Sequence, residues 1–226
     1  ISFNTGANGT IEGKPYVPAG DDYTFCVVAN DGYYAKSVKV NQQEMLSELY
    51  YMDGKAYCTV EMVHEDLNIQ VEYVQLPQQT ISVIGKVETA DGVISDARLW
   101  AVMNGYSQSL RVGADGSYTA QIPAMEGIVL FADAEGYVPK AVLAKEGKNN
   151  LTLEKMYFGK NETVDRNSTD MTLWDLNRLY QGRVRMKASQ YAMELVNSQV
   201  YGKSVYASTT LKTDVDYKDL IERWMN

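Results

Sequence analysis

The chain has 226 residues, 45% hydrophobic and 22% charged, an ordinary balance for folded domains and enough chain for two or three of them. The net charge of −8 and the isoelectric point of about 4.8 argue against a nucleic-acid backbone or an anionic membrane as partner, since both reward clustered Lys and Arg and no basic stripe is present. No apolar run approaches the roughly 20 residues of a membrane-spanning helix.

The chain opens on the strand-like Ile1-Ser2-Phe3 with no leader pattern, which reads as a fragment of a longer mature protein. Residues 1–75 read as all-β. Gly6-Ala7-Asn8-Gly9 and Pro18-Ala19-Gly20-Asp21-Asp22 are turn signals. Tyr23 to Ala29, Lys36 to Val40, Lys55 to Val63 and Leu67 to Val74 are the expected strands, the last two joined at His64-Glu65-Asp66. Leu76-Pro77-Gln78-Gln79 is a short linker.

In the middle segment, residues 80–155, Ile81, Val83, Gly85 and Val87 alternate as a first strand, which Asp91-Gly92 turns. Ala97 to Val102 follows. Ser107 to Val112 and Tyr118 to Ile122 flank Asp115-Gly116, which predicts a hairpin because such a turn needs the positive φ that Gly supplies without strain. Ile128 to Ala132 is apolar throughout, as in a strand covered on both faces. Short strands at this spacing indicate a β-sandwich.

In residues 156–226, Leu173, Leu176, Leu179 and Tyr180 fall near helical spacing. Val184 and Met186, Tyr191 to Val196, and Ser204 to Leu211 read as strands, and Asp214 to Trp224 as a final helix. The expected fold class is therefore mainly β, with tandem small domains and a little helix near the C-terminus.

Three groups of residues resemble known families. Phe3-x-x-Gly6-x-x-Gly9-Thr10-Ile11, Gly20-Asp21-x-Tyr23-Thr24-Phe25, Asp31-Gly32-Tyr33, Ser37-Val38-x-Val40-Asn41 and Ile69-x-Val71-x-Tyr73 resemble the bacterial repeat domains of the internalin B-repeat kind. Gln42 to Asp53 departs from that pattern as a longer insertion. The resemblance implies a small β-fold that acts as a spacer or interaction unit on the bacterial exterior, with no catalytic residues.

Ile84-Gly85-Lys86-Val87, Ile94-x-x-Ala97-x-Leu99, Asp115-Gly116-Ser117-Tyr118, Ile122-Pro123 and Ala134-x-Gly136-Tyr137 resemble the carboxypeptidase regulatory-like family, a transthyretin-like sandwich. That resemblance implies an accessory, carbohydrate-binding-like module of a secreted or surface protein. Thr172-Leu173-Trp174-Asp175-Leu176, Gly182-Arg183-Val184 and Val205-x-Ala207-x-Thr209-x-Leu211 resemble the opening strands of a concanavalin-like (laminin-G-like) jelly roll. The C-terminal segment then reads as a truncated lectin-like domain or, alternatively, as an α+β tail on the middle domain.

Candidate chemistry is sparse. The single histidine, His64, lies in a turn and lacks a fixed nucleophile and orienter, so no catalytic residue is expected. No Cys or His cluster has zinc-ligand spacing, and Asp214-x-Asp216-x-x-Asp219 lacks the Gly and distal Glu of a calcium loop, so neither metal nor cofactor is expected. By alternation Cys26 lies opposite Phe25 and Val27, while Cys58 shares a face with Val60, which disfavours a disulfide.

Exposed aromatics remain. Alternation puts Trp100 outside with Arg98, where it could stack on a sugar ring or dock a neighbouring domain. Tyr106 and Trp174 are the other candidate carbohydrate-binding residues. The reading is a non-catalytic module of a bacterial surface or secreted protein, for adhesion or carbohydrate recognition, with glycans or other domains of the same protein as partners. A ligand-free rigid spacer and accessory domains of a larger secreted hydrolase are the alternatives.

Overall fold

The computed structural model describes residues 1–94 and 96–155 and, near the C-terminus, residues 186, 188–190, 192, 193, 196, 197 and 199–201. The protein is mainly β, built as tandem β-domains. The expected helix over 171–180, the strand over 204–211, the final helix over 214–224 and Trp174 lie outside the described residues.

Eight strands come first: β1 (Ser2–Thr5), β2 (Gly9–Glu12), β3 (Tyr23–Ala29), β4 (Tyr33–Val40), β5 (Gln43–Glu44), β6 (Tyr50–Met52), β7 (Lys55–Val60) and β8 (Asn68–Gln75). They form two four-stranded sheets, ordered β1-β8-β4-β5 and β2-β3-β7-β6. Only the β1–β8 pairing is parallel here. Alternation sets the faces: Tyr23, Phe25 and Val27 pair with Val60, Cys58 and Ala56, and all but the half-buried Val60 are buried in one core. Each large side chain removed from water in this way contributes about 1.5–3 kcal/mol. The Gln42–Asp53 insertion is not a loose loop, because it contains β5, one turn of 3-10 helix (Leu46–Glu48) and β6.

The second domain has eleven strands: β9 (Thr80–Thr89), β10 (Gly92–Val93), β11 (Arg98–Met103), β12 (Tyr106–Leu110), β13 (Ser117–Pro123), β14 (Val129–Asp133), β15 (Tyr137–Val138), β16 (Lys140–Leu143), β17 (Gly147–Lys148), β18 (Leu151–Thr152) and β19 (Glu154–Lys155). One sheet is centred on β9, flanked by β10 and β13 and joined in parallel by β17 and β18. A second is β12-β11-β14-β16, and β15 and β19 form a two-stranded antiparallel sheet. The two larger sheets enclose a core that includes Val83, Val87, Leu99, Ile122, Leu130 and Leu151. Asn149 clamps the 145–149 loop under β9: its Oδ1 accepts from the Lys145 amide, its Nδ2 donates to the Lys145 and Gly147 carbonyls, and its carbonyl accepts from the Tyr118 hydroxyl.

The expected hairpin at Asp115-Gly116 is not formed. β12 pairs with β11, and β13 pairs with β9, so the turn carries the chain from one sheet to the other. Asp115 Oδ1 accepts from the Ser117 amide at 3.1 Å and hydroxyl at 2.6 Å, and the Gly113 amide donates to the Ser117 carbonyl. Gly116, at φ +75°, seats its carbonyl on the Val87 amide of β9 at 2.9 Å. A tight hairpin forms instead at β11–β12, closed by Asn104-Gly105 at φ +44° and +85°, a two-residue turn of the type I′ kind.

A second correction concerns Met186 and residues 191–196, read from sequence as strands. Every described residue from 186 to 201 is helical, and we label this helix α1. Ser189, Met193 and Val196 are buried at spacings of three and four, which is one helical face. Tyr191 and Val196 suggested a strand, but this periodicity is helical, and tertiary packing of the face outweighs local propensity.

Candidate functional site

The outer face of the β12-β11-β14-β16 sheet is where the two domains meet. Alternation along β11 sends Leu99, Ala101 and Met103 into the second core, and Trp100 and Val102 to the opposite side. Along β14, Leu130 and Ala132 face the second core, while Val129 and Phe131 face the first. The first core therefore holds residues of β3, β4, β6 and β7, of the β11/β14 outer face, and Ala192, Met193 and Val196 of α1. Tyr51 and Phe131 pack across the junction with ring centroids 6.2 Å apart.

Two hairpin tips dock reciprocally. Asp53-Gly54 closes β6–β7 at φ +51° and +76° and sits on β11, where a Cβ on Gly54 would lie 2.6 Å from Trp100 Nε1. Asn104-Gly105 returns the contact: the Ala35 amide donates to the Asn104 carbonyl at 2.7 Å, and the Ala29 amide to the Gly105 carbonyl at 3.2 Å. Arg98 bridges the domains, with Nη1 2.5 Å from Asp53 Oδ1 and Nη2 2.7 Å from Asp133 Oδ2. Its guanidinium carbon lies 5.4 Å from the Trp100 ring centroid, in cation–π range. Leu76 ties the linker to both sides, since its amide donates to the Gly32 carbonyl while its side chain is buried in the second core. Helix α1 completes the joint: Ser189 Oγ donates to the Tyr51 carbonyl, and Asn197 Nδ2 to the Ser47 and Leu49 carbonyls.

Trp100 is thus a half-buried element of the joint. Tyr106 pairs with Met103 and packs against the second core, so it lies on the opposite face of the same sheet, and the fold does not bring the two rings together. The Tyr106 hydroxyl donates to Gln108 Oε1 at 2.6 Å, and burial pushes its pKa up to about 12. Gln108 Nε2 in turn donates to the Gln121 carbonyl.

Nothing in the described residues assembles into a nucleophile–base pair around His64, which is exposed near Gly20. Cys26 and Cys58 are buried free thiols on opposite faces of adjacent strands. Burial holds Cys26 in the protonated form, with a pKa of about 11, and Cys58 at about 12, so neither is a thiolate near neutral pH. Among the described residues no group of three or more His, Cys, Asp or Glu could hold a metal ion, and no helix is long and apolar enough to cross a membrane.

Sequence reasoning passed over a groove of about 580 Å³ beside the Gln42–Asp53 insertion. Leu49, Val60 and Leu67 are among its apolar lining, Gln43, Thr59 and Gln190 among its polar lining, and Glu48, Glu61 and Glu65 add carboxylates. The described lining includes no Lys or Arg. Hydrogen bonds shape its walls: Asn41 Nδ2 donates to Glu65 Oε1 and the Asp66 carbonyl, and the Tyr50 hydroxyl meets Thr59 Oγ1 at 2.9 Å. The available signal was the Gln42–Asp53 stretch itself, read from sequence as a longer insertion.

No family model matches the chain, and no curated protein matches it. Among solved structures, one that it resembles is the Bacillus anthracis TIE protein, at 12% identity and a TM-score of 0.27, over 69% of this chain and 39% of that one. A likeness at that level carries no argument about fold or function.

Proposed function

We propose that this chain is a non-catalytic extracellular module of a bacterial surface or secreted protein, and that its two β-domains work as one stiff unit. In this reading an internalin B-repeat-like domain is followed by a carboxypeptidase regulatory-like, transthyretin-like sandwich. The observation that supports stiffness is the shared core, in which Val102, Val129 and Phe131 of the second domain are buried with Tyr51 and Val27 of the first. Domains joined through a flexible linker and a small polar contact move independently, whereas a continuous apolar interface fixes their angle. Small-angle scattering of the whole chain should fit one fixed arrangement, and denaturant unfolding should show one transition for both domains. Two separated transitions, or scattering that requires a spread of interdomain angles, would refute the stiff unit.

Adhesion or carbohydrate recognition is the second reading, and the groove beside the insertion is what favours it. A space of about 580 Å³ falls within the range of small-ligand sites. Amides and hydroxyls over an apolar floor suit a polyhydroxylated ring. Amide chemical shifts followed during titration with neutral and acidic oligosaccharides are the test. Shifts should centre on Gln43 and Thr59, and Gln43→Ala should weaken binding about threefold to tenfold. Shifts that track Trp100→Ala or Tyr106→Ala instead would move the site off the groove, and an absence of shifts with every sugar would leave the spacer reading alone.

A further inference from the structure

Tyr51 occupies the point where the first domain, the second domain and α1 converge. Its side chain is 2% exposed, and its hydroxyl oxygen faces the backbone amides of Gly105 and Asn104, while the hydroxyl proton has no acceptor among the described residues. A buried hydroxyl left in that state is costly, and native folds rarely retain one. Beside it lies a cavity of about 10 Å³, lined by polar residues from all three pieces: Tyr51 of β6, Asn104 of the β11–β12 turn, and Asn197 and Tyr201 of α1. Val102 and Val129 contribute apolar wall. About this much space holds one water molecule, and a water is stable where it has two to four polar partners.

The acceptors are available. Asn197 commits its Nδ2 to the Ser47 and Leu49 carbonyls, and among the described residues no donor meets its Oδ1. Asn104 Oδ1 accepts from the Tyr201 hydroxyl at 3.3 Å and has a second lone pair.

We propose that this cavity is a binding site for a single structural water, which accepts the Tyr51 hydroxyl proton and donates to the side-chain oxygens of Asn104 and Asn197. The water links both domains and the helix through one molecule. The inference does not rest on the stiff-unit reading, because a solvated Tyr51 hydroxyl is required by local chemistry whether or not the whole chain is rigid.

The test is Tyr51→Phe in the full chain, which keeps the ring and its contact with Phe131 and removes only the hydroxyl. If the water is bound, the variant loses a satisfied hydrogen bond and its denaturation midpoint falls. If the hydroxyl is buried with no partner, removing it relieves a penalty and the midpoint rises, which overturns the proposal. A high-resolution crystal structure of the unsubstituted chain decides independently. One ordered water within hydrogen-bond reach of Tyr51 Oη supports the site, and either an empty cavity or a direct protein acceptor for the hydroxyl refutes it.

Discussion

Asn104-Gly105 and Asp115-Gly116 are near-identical dipeptides in one domain, yet they do different things. Asn104-Gly105 separates two strands by two residues, with Met103 paired to Tyr106, so it closes a tight hairpin whose tip then docks on the first domain. Asp115-Gly116 ends a longer connection, residues 111–116, and the strands on either side belong to different sheets. A dipeptide that tolerates positive φ specifies a bend and leaves open which strands pair across it. The number of residues in the connection decides whether the flanking strands can share hydrogen bonds.

That contrast can be broken most sharply at Gly116. A Cβ there would lie 2.5 Å from the Val87 carbonyl oxygen, a backbone atom, and the residue sits at φ +75°. Gly116→Ala should destabilise by about 2–4 kcal/mol, from left-handed strain plus overpacking, when followed by denaturant unfolding. The loss should arise inside the second domain and leave the joint contacts in place.

Gly54→Ala strikes the other kind of turn. Its Cβ would meet the Trp100 indole, which can give more than a backbone carbonyl can. A loss of about 1–3 kcal/mol is expected, together with a changed Trp fluorescence and a changed interdomain angle in scattering. A variant whose indole environment is unaltered would count against hairpin docking.

Arg98→Met tests the bridge between the same two sites. Asp133 is buried, with its side chain 4% exposed, but Arg98 and Asp53 are 45% and 58% exposed, so solvent screens much of the network. A cost of about 1–2 kcal/mol is expected, growing smaller in high salt. Insensitivity to salt would point to lost packing on Trp100 as the cause.

The smallest effect concerns Asp115. The Ser117 hydroxyl, then the Ser117 amide, hold its carboxyl below the ordinary value of 3.8. The folded chain therefore binds this proton less readily than the unfolded chain. Its contribution is present above that ordinary value and is lost as pH falls through the lower folded value. Asp115→Asn should flatten the acid end of the stability profile and leave neutral pH little changed, as read from unfolding midpoints across the acid range. An unchanged acid limb would show that the carboxylate adds nothing to the turn.

The same division runs through the rest of the chain. Tyr23 to Ala29 and the strand at Ile81 to Val87 were legible because period-two alternation over a half-buried surface follows from backbone pleating alone. Ile128 to Ala132, apolar throughout, announced a strand covered on both faces, and the observed Val129–Asp133 is buried at every position. Alternation likewise put Trp100 and Leu99 on opposite sides of β11.

What the sequence could not say is what does the covering. The outer face of β11 and β14 is sealed by residues far away in the chain, through the Asp53-Gly54 hairpin tip, the first core and a helix. Such pairings depend on shape and buried area between distant surfaces, and no local period encodes them. The groove was hidden for the same reason, since its walls come from β4–β5, the insertion, β7 and α1. Residue type and period thus determined the strands, their inward faces and the mainly β class. Only the tertiary structure decided which sheet each strand joined, which tip touched which domain, and that α1 is a helix packed into the joint, because those choices are made by long-range burial acting on local patterns that permit more than one answer.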